Sequence, residues 1–268
     1  MLMELPEADI DPLLRLAYAA LAPLDTRYSD GTPDAAFVAH YEIIKYFTDL
    51  IAKRRINPSS DVIGMLLSME IAGSRLTDKE IWLNCLSLLL GAVVTTSQAI
   101  SASLIALAEQ NGGEGHWPRD IAVRAAVEEG LRWSSPVTHF MRRARHDVKL
   151  HDETIRAGDA ITAWIASANR DEAVFEQPFT LNLGRSPNRH MAFGSGPHLC
   201  LGSHIARLML HESFEELIAT IESFELAGEP SHLVSNEIAG VVSLPLRLRL
   251  RRSAHQRLRG DPAGQLNS

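Results

Sequence analysis

A mainly helical fold with a minor β-sheet, class α+β, is predicted by three features of this 268-residue chain. Apolar residues recur at helical spacing through its first half, and helix start and stop signals bracket those stretches. Short segments separated by turn residues gather after Pro136.

Leu13, Leu14, Leu16, Ala17, Ala20 and Leu21 share one face of a first helix. Val38, Tyr41, Ile44 and Ile51 mark a second, longer one, and a short third helix follows Pro58-Ser59-Ser60-Asp61, with Ser60 or Asp61 as N-cap. Thr77-Asp78-Lys79-Glu80 reads as a capping box that opens one long apolar helix running to about Glu109, closed by Asn111-Gly112-Gly113. After Pro118 another helix runs to about Trp133 and stops at Ser134-Ser135-Pro136. Strands are expected at Asp147 to Leu150, Thr154 to Arg156 and Asp159 to Trp164. The stretch from Asn169 to Pro197 has no period and many turn formers, and so long a loop inside a compact protein usually serves function. A last long helix spans Ser203 to about Glu222, with strands after it at Phe224 to Leu226 and Pro245 to Leu250.

Hydrophobic residues at 46% and charged residues at 22% describe an ordinary soluble protein. Residues 1–252 are expected to form one domain, and residues 253–268 a polar, disordered tail that carries much of the basic run from Arg247 to Arg259. The net charge of −7 gives no general pull toward nucleic acid or an anionic membrane. The two cysteines, Cys85 and Cys200, suit a reducing cytoplasm. The opening MLMELPEADIDP lacks the pattern of a secretory signal. Leu86 to Leu107 includes Thr95, Thr96, Ser97, Gln98, Ser101 and Ser103, so it reads as a buried helix and no membrane span is expected.

Cys200 stands in FGSGPHLCLG, a glycine-lined loop directly ahead of the last long helix. That helix turns its free N–H groups and positive end toward the sulfur, a setting that suits a thiolate. Gly194, Gly196 and Gly202 let the backbone pass close to something large and flat. Three uses compete: a structural cysteine, a nucleophile and a metal ligand. A nucleophile needs a base with its own orienting group, and His198 alone is adjacent. Zinc needs about four ligands. A haem iron needs a single protein ligand from below, which a lone thiolate provides.

The stretch FGSGPHLCLGSHIARL closely resembles the haem-binding loop of the cytochrome P450 monooxygenases, with Phe193, Gly194, Gly196, His198, Cys200, Gly202 and Ala206-Arg207 in register. The resemblance implies the C-terminal portion of that fold. It implies haem b (iron protoporphyrin IX) as cofactor, Cys200 as the proximal thiolate ligand to iron, Phe193 packed beside the sulfur and His198 on a haem propionate. Glu129-Gly130-Leu131-Arg132 matches the family's Glu-x-x-Arg motif, in which Glu129 and Arg132 anchor the loop before the cysteine. Arg142, ahead of Asp147-Val148-Lys149-Leu150, falls at the position of a propionate-binding arginine, with Arg143 and Arg145 as neighbours. Where many members complete a triad with arginine or histidine, this chain has Thr180, and Arg185 is the candidate substitute.

The central helix of the family carries an acid and a threonine that relay protons to bound dioxygen. Here Gly91-Ala92-Val93-Val94-Thr95-Thr96 places Thr95 at the alcohol position and Val94 at the acid position. Valine carries no proton. The departure leaves three outcomes: slow monooxygenation, substrate-assisted oxidation, or peroxide as oxidant. Without the family context, Thr95 reads as a plain helix threonine bonded to the carbonyl one turn back.

By position the substrate pocket draws on Leu89, Leu90, Val94, Val137, Thr138, His139, Val241 and Val242. The resemblance implies a haem-thiolate oxidoreductase acting on a small, apolar secondary metabolite, with electrons from an external ferredoxin or flavodoxin. A catalytically impaired partner or activator protein, or a haem protein used for sensing or peroxide chemistry, is the alternative. The match covers only the C-terminal portion of the family's usual length, so a homodimer or a complementing chain is expected to close the haem face.

Overall fold

The computed structural model describes residues 3–118 and 120–252. The tail at 253–268 lies outside them. The chain divides into two compact units, one of residues 3–95 with Leu233–Ile238, the other of the remaining described residues.

In the first unit, α1 (Glu7–Leu21), α2 (Ala35–Ile56) and α3 (Val62–Ser68) lead through a hairpin of β1 (Glu70–Ile71) and β2 (Ser74–Arg75) into α4 (Asp78–Val93). The α1 face is the expected one, with Leu13, Ala17 and Ala20 buried. That of α2 agrees only in part: Ile51 is buried as expected, together with Ala39, Ile43, Phe47 and Leu50, whereas Val38 and Tyr41 are exposed. Apolar residues fall on more than one side of this helix, so spacing alone did not choose between faces. Of the two cap candidates for α3, Asp61 accepts from the Gly64 amide at 2.8 Å. The capping box at α4 forms in full, with the Thr77 amide donating to Glu80 Oε2 at 2.8 Å and the Glu80 amide to Thr77 Oγ1 at 3.3 Å.

The segment Leu233–Ile238 is tied to this unit by side chains. Asp25 Oδ2 accepts from the Val234 amide at 3.0 Å, and the Ser235 hydroxyl donates to Leu21 O at 2.5 Å. The Arg27 guanidinium holds the buried Asp25 carboxyl well below the usual carboxylate range, against the opposing effect of burial.

The second unit opens on α5 (Thr96–Gln110), β3 (Glu114–His116) and α6 (Val123–Ser134), followed by β4 (His139–Arg143), β5 (Val148–Leu150), β6 (Glu153–Ile155), β7 (Ala160–Trp164) and the short α7 (Ile165–Ala168). After a long loop come α8 (Ser203–Thr220), β8 (Ile221–Leu226), β9 (Ser231–His232), β10 (Val241–Ser243) and β11 (Leu246–Leu250). Helices α5, α6 and α8 pack on one another around Leu107, Ala126, Leu131, Leu210 and Phe214. The minor sheet is several small ones: a three-stranded antiparallel sheet ordered β11-β8-β3, and the pairs β4-β7, β5-β6 and β9-β10. Strand β3, absent from the sequence reading, runs beside Phe224 at Gly115, where a Cβ would stand 2.1 Å from the ring.

The single apolar helix expected from Thr77 to Glu109 is two. Residues 78–110 are long and apolar enough to cross a membrane by length and composition, with a mean hydropathy of 1.7 over an 18-residue window, but α4 ends at Val93 and α5 begins at Thr96. At the break the Thr95 hydroxyl donates to Gly91 O at 2.7 Å. A side chain that bonds its own helix carbonyl in this way bends the helix without disturbing its apolar period, which is why the pattern read as continuous.

Candidate functional site

Helix α6 anchors the site. Glu129 and Arg132 lie three residues apart and so share a face, and both are 0% exposed. Two parallel bonds of 2.8 Å join the guanidinium to the carboxylate. Each partner is then satisfied by the long loop after α7. Arg132 Nη1 donates to the carbonyls of Asn169 at 2.7 Å and Pro178 at 3.0 Å, while Nη2 reaches Thr180 O at 3.3 Å. Glu129 accepts from the Asn182 amide at 2.9 Å, from Asn188 Nδ2 at 3.0 Å and from Arg185 Nε at 3.0 and 3.2 Å. Arg185 therefore takes the third position of the triad, and Thr180 contributes only its backbone carbonyl, to both arginines. A buried pair with this many additional bonds has its desolvation met on every side.

Asn169 carries the anchor on toward the cysteine. Its carbonyl receives Arg132, its Nδ2 donates to Ser135 Oγ at 2.8 Å, and its Oδ1 accepts the Met191 amide at 2.6 Å. From Met191 the loop is held by its own backbone: Gly194 N–H to Met191 O at 2.8 Å, Cys200 N–H to Phe193 O at 2.9 Å and Leu199 N–H to Gly196 O at 3.0 Å. Gly194 at φ 70° and Gly196 at φ 66° occupy the left-handed region that other residues enter only with strain. Cys200 is exposed at the end of this turn. Around it stand Leu199 at 54%, Leu201 at 85% and, on the first turns of α8, Ile205 at 51% exposure.

On the neighbouring face of α6, Glu128, one residue before Glu129, makes a second connection. It accepts two bonds from Arg207 of α8, at 2.6 and 3.0 Å, and one contact of 2.9 Å from His190 Nε2. Burial pushes the Glu128 carboxyl up, but the bonds from His190 and Arg207 outweigh it and bring it down to about 2. The Arg207 guanidinium lies over the Phe193 ring, 4.6 Å from its centroid. Sequence reasoning placed Arg207 in the motif but gave neither it nor Glu128 a role, since the two stand 79 residues apart and no local spacing links them.

The other expected site residues fall as follows. Arg142 is exposed on β4, with Nη1 donating to Met141 O at 2.9 Å. His198 is exposed in a short 3-10 turn, and Gly202 is the N-cap of α8. Val137 and the β10 residues Val241 and Val242 are half-buried; Pro136 O accepts the Ala239 amide at 2.8 Å, and buried Gln98 of α5 takes the Val241 amide at 2.6 Å. In the first unit, Leu90 lines a cavity of about 810 Å³ with Leu24, Phe37, His40 and Leu233. Val94 is fully buried at 0% exposure.

Comparison with known proteins finds relatives of one family. The family model described as cytochrome P450 matches residues 122–250. The chain is 36% identical over 249 residues to cytochrome P450 NovI of Streptomyces niveus, covering 92% of this chain and 60% of that protein. It is also 36% identical over 208 residues to the methyl-branched lipid omega-hydroxylase of Mycobacterium tuberculosis, covering 76% of this chain and 49% of the relative. Among solved structures, P450 OxyD, involved in the biosynthesis of vancomycin-type antibiotics, superposes with a TM-score of 0.77 at 34% identity, covering 93% of this chain and 62% of that one. The chain thus spans roughly half to three fifths of the length of these relatives.

Proposed function

The chain belongs to the cytochrome P450 family, and from that premise we propose that it is a haem-thiolate monooxygenase acting on a small organic molecule, with Cys200 as the protein ligand to the iron of haem b. The observation that carries the reading is the Cys200 loop: an exposed sulfur at the N-terminal end of α8, framed by exposed Leu199, Leu201 and Ile205. This donor set suits the group. Soft sulfur binds iron, the apolar side chains offer a face to a flat porphyrin, and exposed Arg142 and His198 suit its carboxylates.

When bound, the haem supplies dioxygen activation: with two electrons and two protons, one oxygen atom enters a C–H bond of the substrate and the other leaves as water. The chain's own residues do the rest. Glu129, Arg132, Arg185 and Asn169 hold the loop so that the sulfur keeps one position. Thr95, whose hydroxyl hydrogen is committed to Gly91 O, keeps its lone pairs to accept a hydrogen bond from a water. Val94 at the acid position transfers no proton, so water or a substrate group delivers it. The electron source is an external redox protein of ferredoxin or flavodoxin type, and the substrate an apolar secondary metabolite, in line with the antibiotic pathway named for OxyD. Val94 also favours a second reading, in which hydrogen peroxide replaces dioxygen, the two electrons and the two protons, with the same ligand.

The test is reconstitution with haem followed by reduction under carbon monoxide. The reading expects one haem per chain and a Soret band far to the red, the signature of thiolate ligation. A chain that stays colourless, or whose band is that of a histidine-ligated haem, overturns it.

A further inference from the structure

We propose that Glu128 is a positioning residue for the Cys200 loop, acting through Arg207 and Phe193. Four contacts carry the inference. The bidentate Glu128–Arg207 pair ties α6 to α8 at 2.6 and 3.0 Å. The guanidinium so fixed lies 4.6 Å from the Phe193 ring centroid. The His190 ring also stands near Phe193, 6.2 Å away between centroids and at 53°. Last, the Phe193 carbonyl accepts the Cys200 amide at 2.9 Å.

The hydrogen bonds also settle how His190 serves. The Ala192 amide can only donate, and it points at His190 Nδ1 at 3.2 Å. The ring proton therefore sits on Nε2, which donates to Glu128 Oε2 at 2.9 Å. One carboxylate thus orders both groups that stand against Phe193, one cationic and one neutral. Arg207 is 38% exposed along its side chain; without the carboxylate it turns to water, and the ring loses the partner over its face. This connection is separate from the Glu129 triad, which reaches the loop through Asn169 and Met191.

The direct experiment is amide hydrogen exchange on the haem-free chain carrying Glu128→Gln. Exchange at Cys200 is expected to quicken at least tenfold, while the Asn182 amide, held by Glu129, keeps its parent rate and Glu128→Asp restores part of the protection. Should Glu128→Gln lose protection everywhere, Arg207→Gln, which leaves the Glu128–His190 bond in place, decides by the same comparison. Cys200 exchange within twofold of the parent in the decisive variant overturns the proposal. A second readout rests on the haem-thiolate reading: in the haem-loaded chain, Arg207→Gln removes the cation over Phe193, whose carbonyl holds the Cys200 amide, and is expected to lower the reduction potential. If the parent shows no thiolate spectrum, that reading fails and the exchange result still decides the role of Glu128.

Discussion

Glu129 and Cys200 stand on one chain of hydrogen bonds at opposite extremes of exposure. The carboxylate is fully buried and accepts from Arg132, Arg185, Asn182 and Asn188. The thiol is exposed, and beside it stand Leu199, Leu201 and Ile205 in place of polar partners. The difference teaches a division of labour: the polar network fixes the loop, and the loop presents a sulfur that takes no part in holding the fold. Removing a member of the first region is therefore expected to cost stability, and altering the second to cost only ligation.

The largest effect expected is from Arg132→Ala, which strands a buried carboxylate and several carbonyls; about 3–5 kcal/mol is lost, read as a lower denaturant midpoint. Asn169→Ala comes next, at about 1–3 kcal/mol for the polar groups left unpaired, measured the same way. A smaller effect concerns acid. Glu128 titrates at about 2 when folded and near 4.5 otherwise, a depressed carboxylate. Its stabilisation is thus fully present above the ordinary value and fades as pH falls from about 4.5 toward about 2. Glu128→Gln should flatten that part of the pH–stability curve. The smallest is Cys200→Ser, expected to stay within about 0.5 kcal/mol of the parent because the site is exposed. A large stability loss there would erase the contrast between the two regions.

Much of this was legible in the sequence where the chemistry is local. The cysteine loop lies within ten residues, and Glu129 and Arg132 share a helix face by spacing alone. Arg185 could be named only as a candidate, because an irregular loop chose it over Thr180. Glu128 and Arg207 meet through the packing of α6 on α8, which no periodicity reports. The break between α4 and α5 was hidden as well, since the Thr95 hydroxyl bonds backward without changing the apolar pattern. On α2, apolar residues on several sides left the buried face to be chosen by α1 and α4.

Exchanging each of the two cysteine sulfurs for oxygen in turn tests the central claim most directly. Cys85 is buried, and burial and the Asp61 charge push its thiol up to about 11, so Cys85→Ser serves as the control. In the haem-loaded, carbon monoxide-treated state, the account predicts that Cys200→Ser loses the red-shifted Soret band while Cys85→Ser keeps it. A band that survives in Cys200→Ser would contradict the account, whatever else the chain binds.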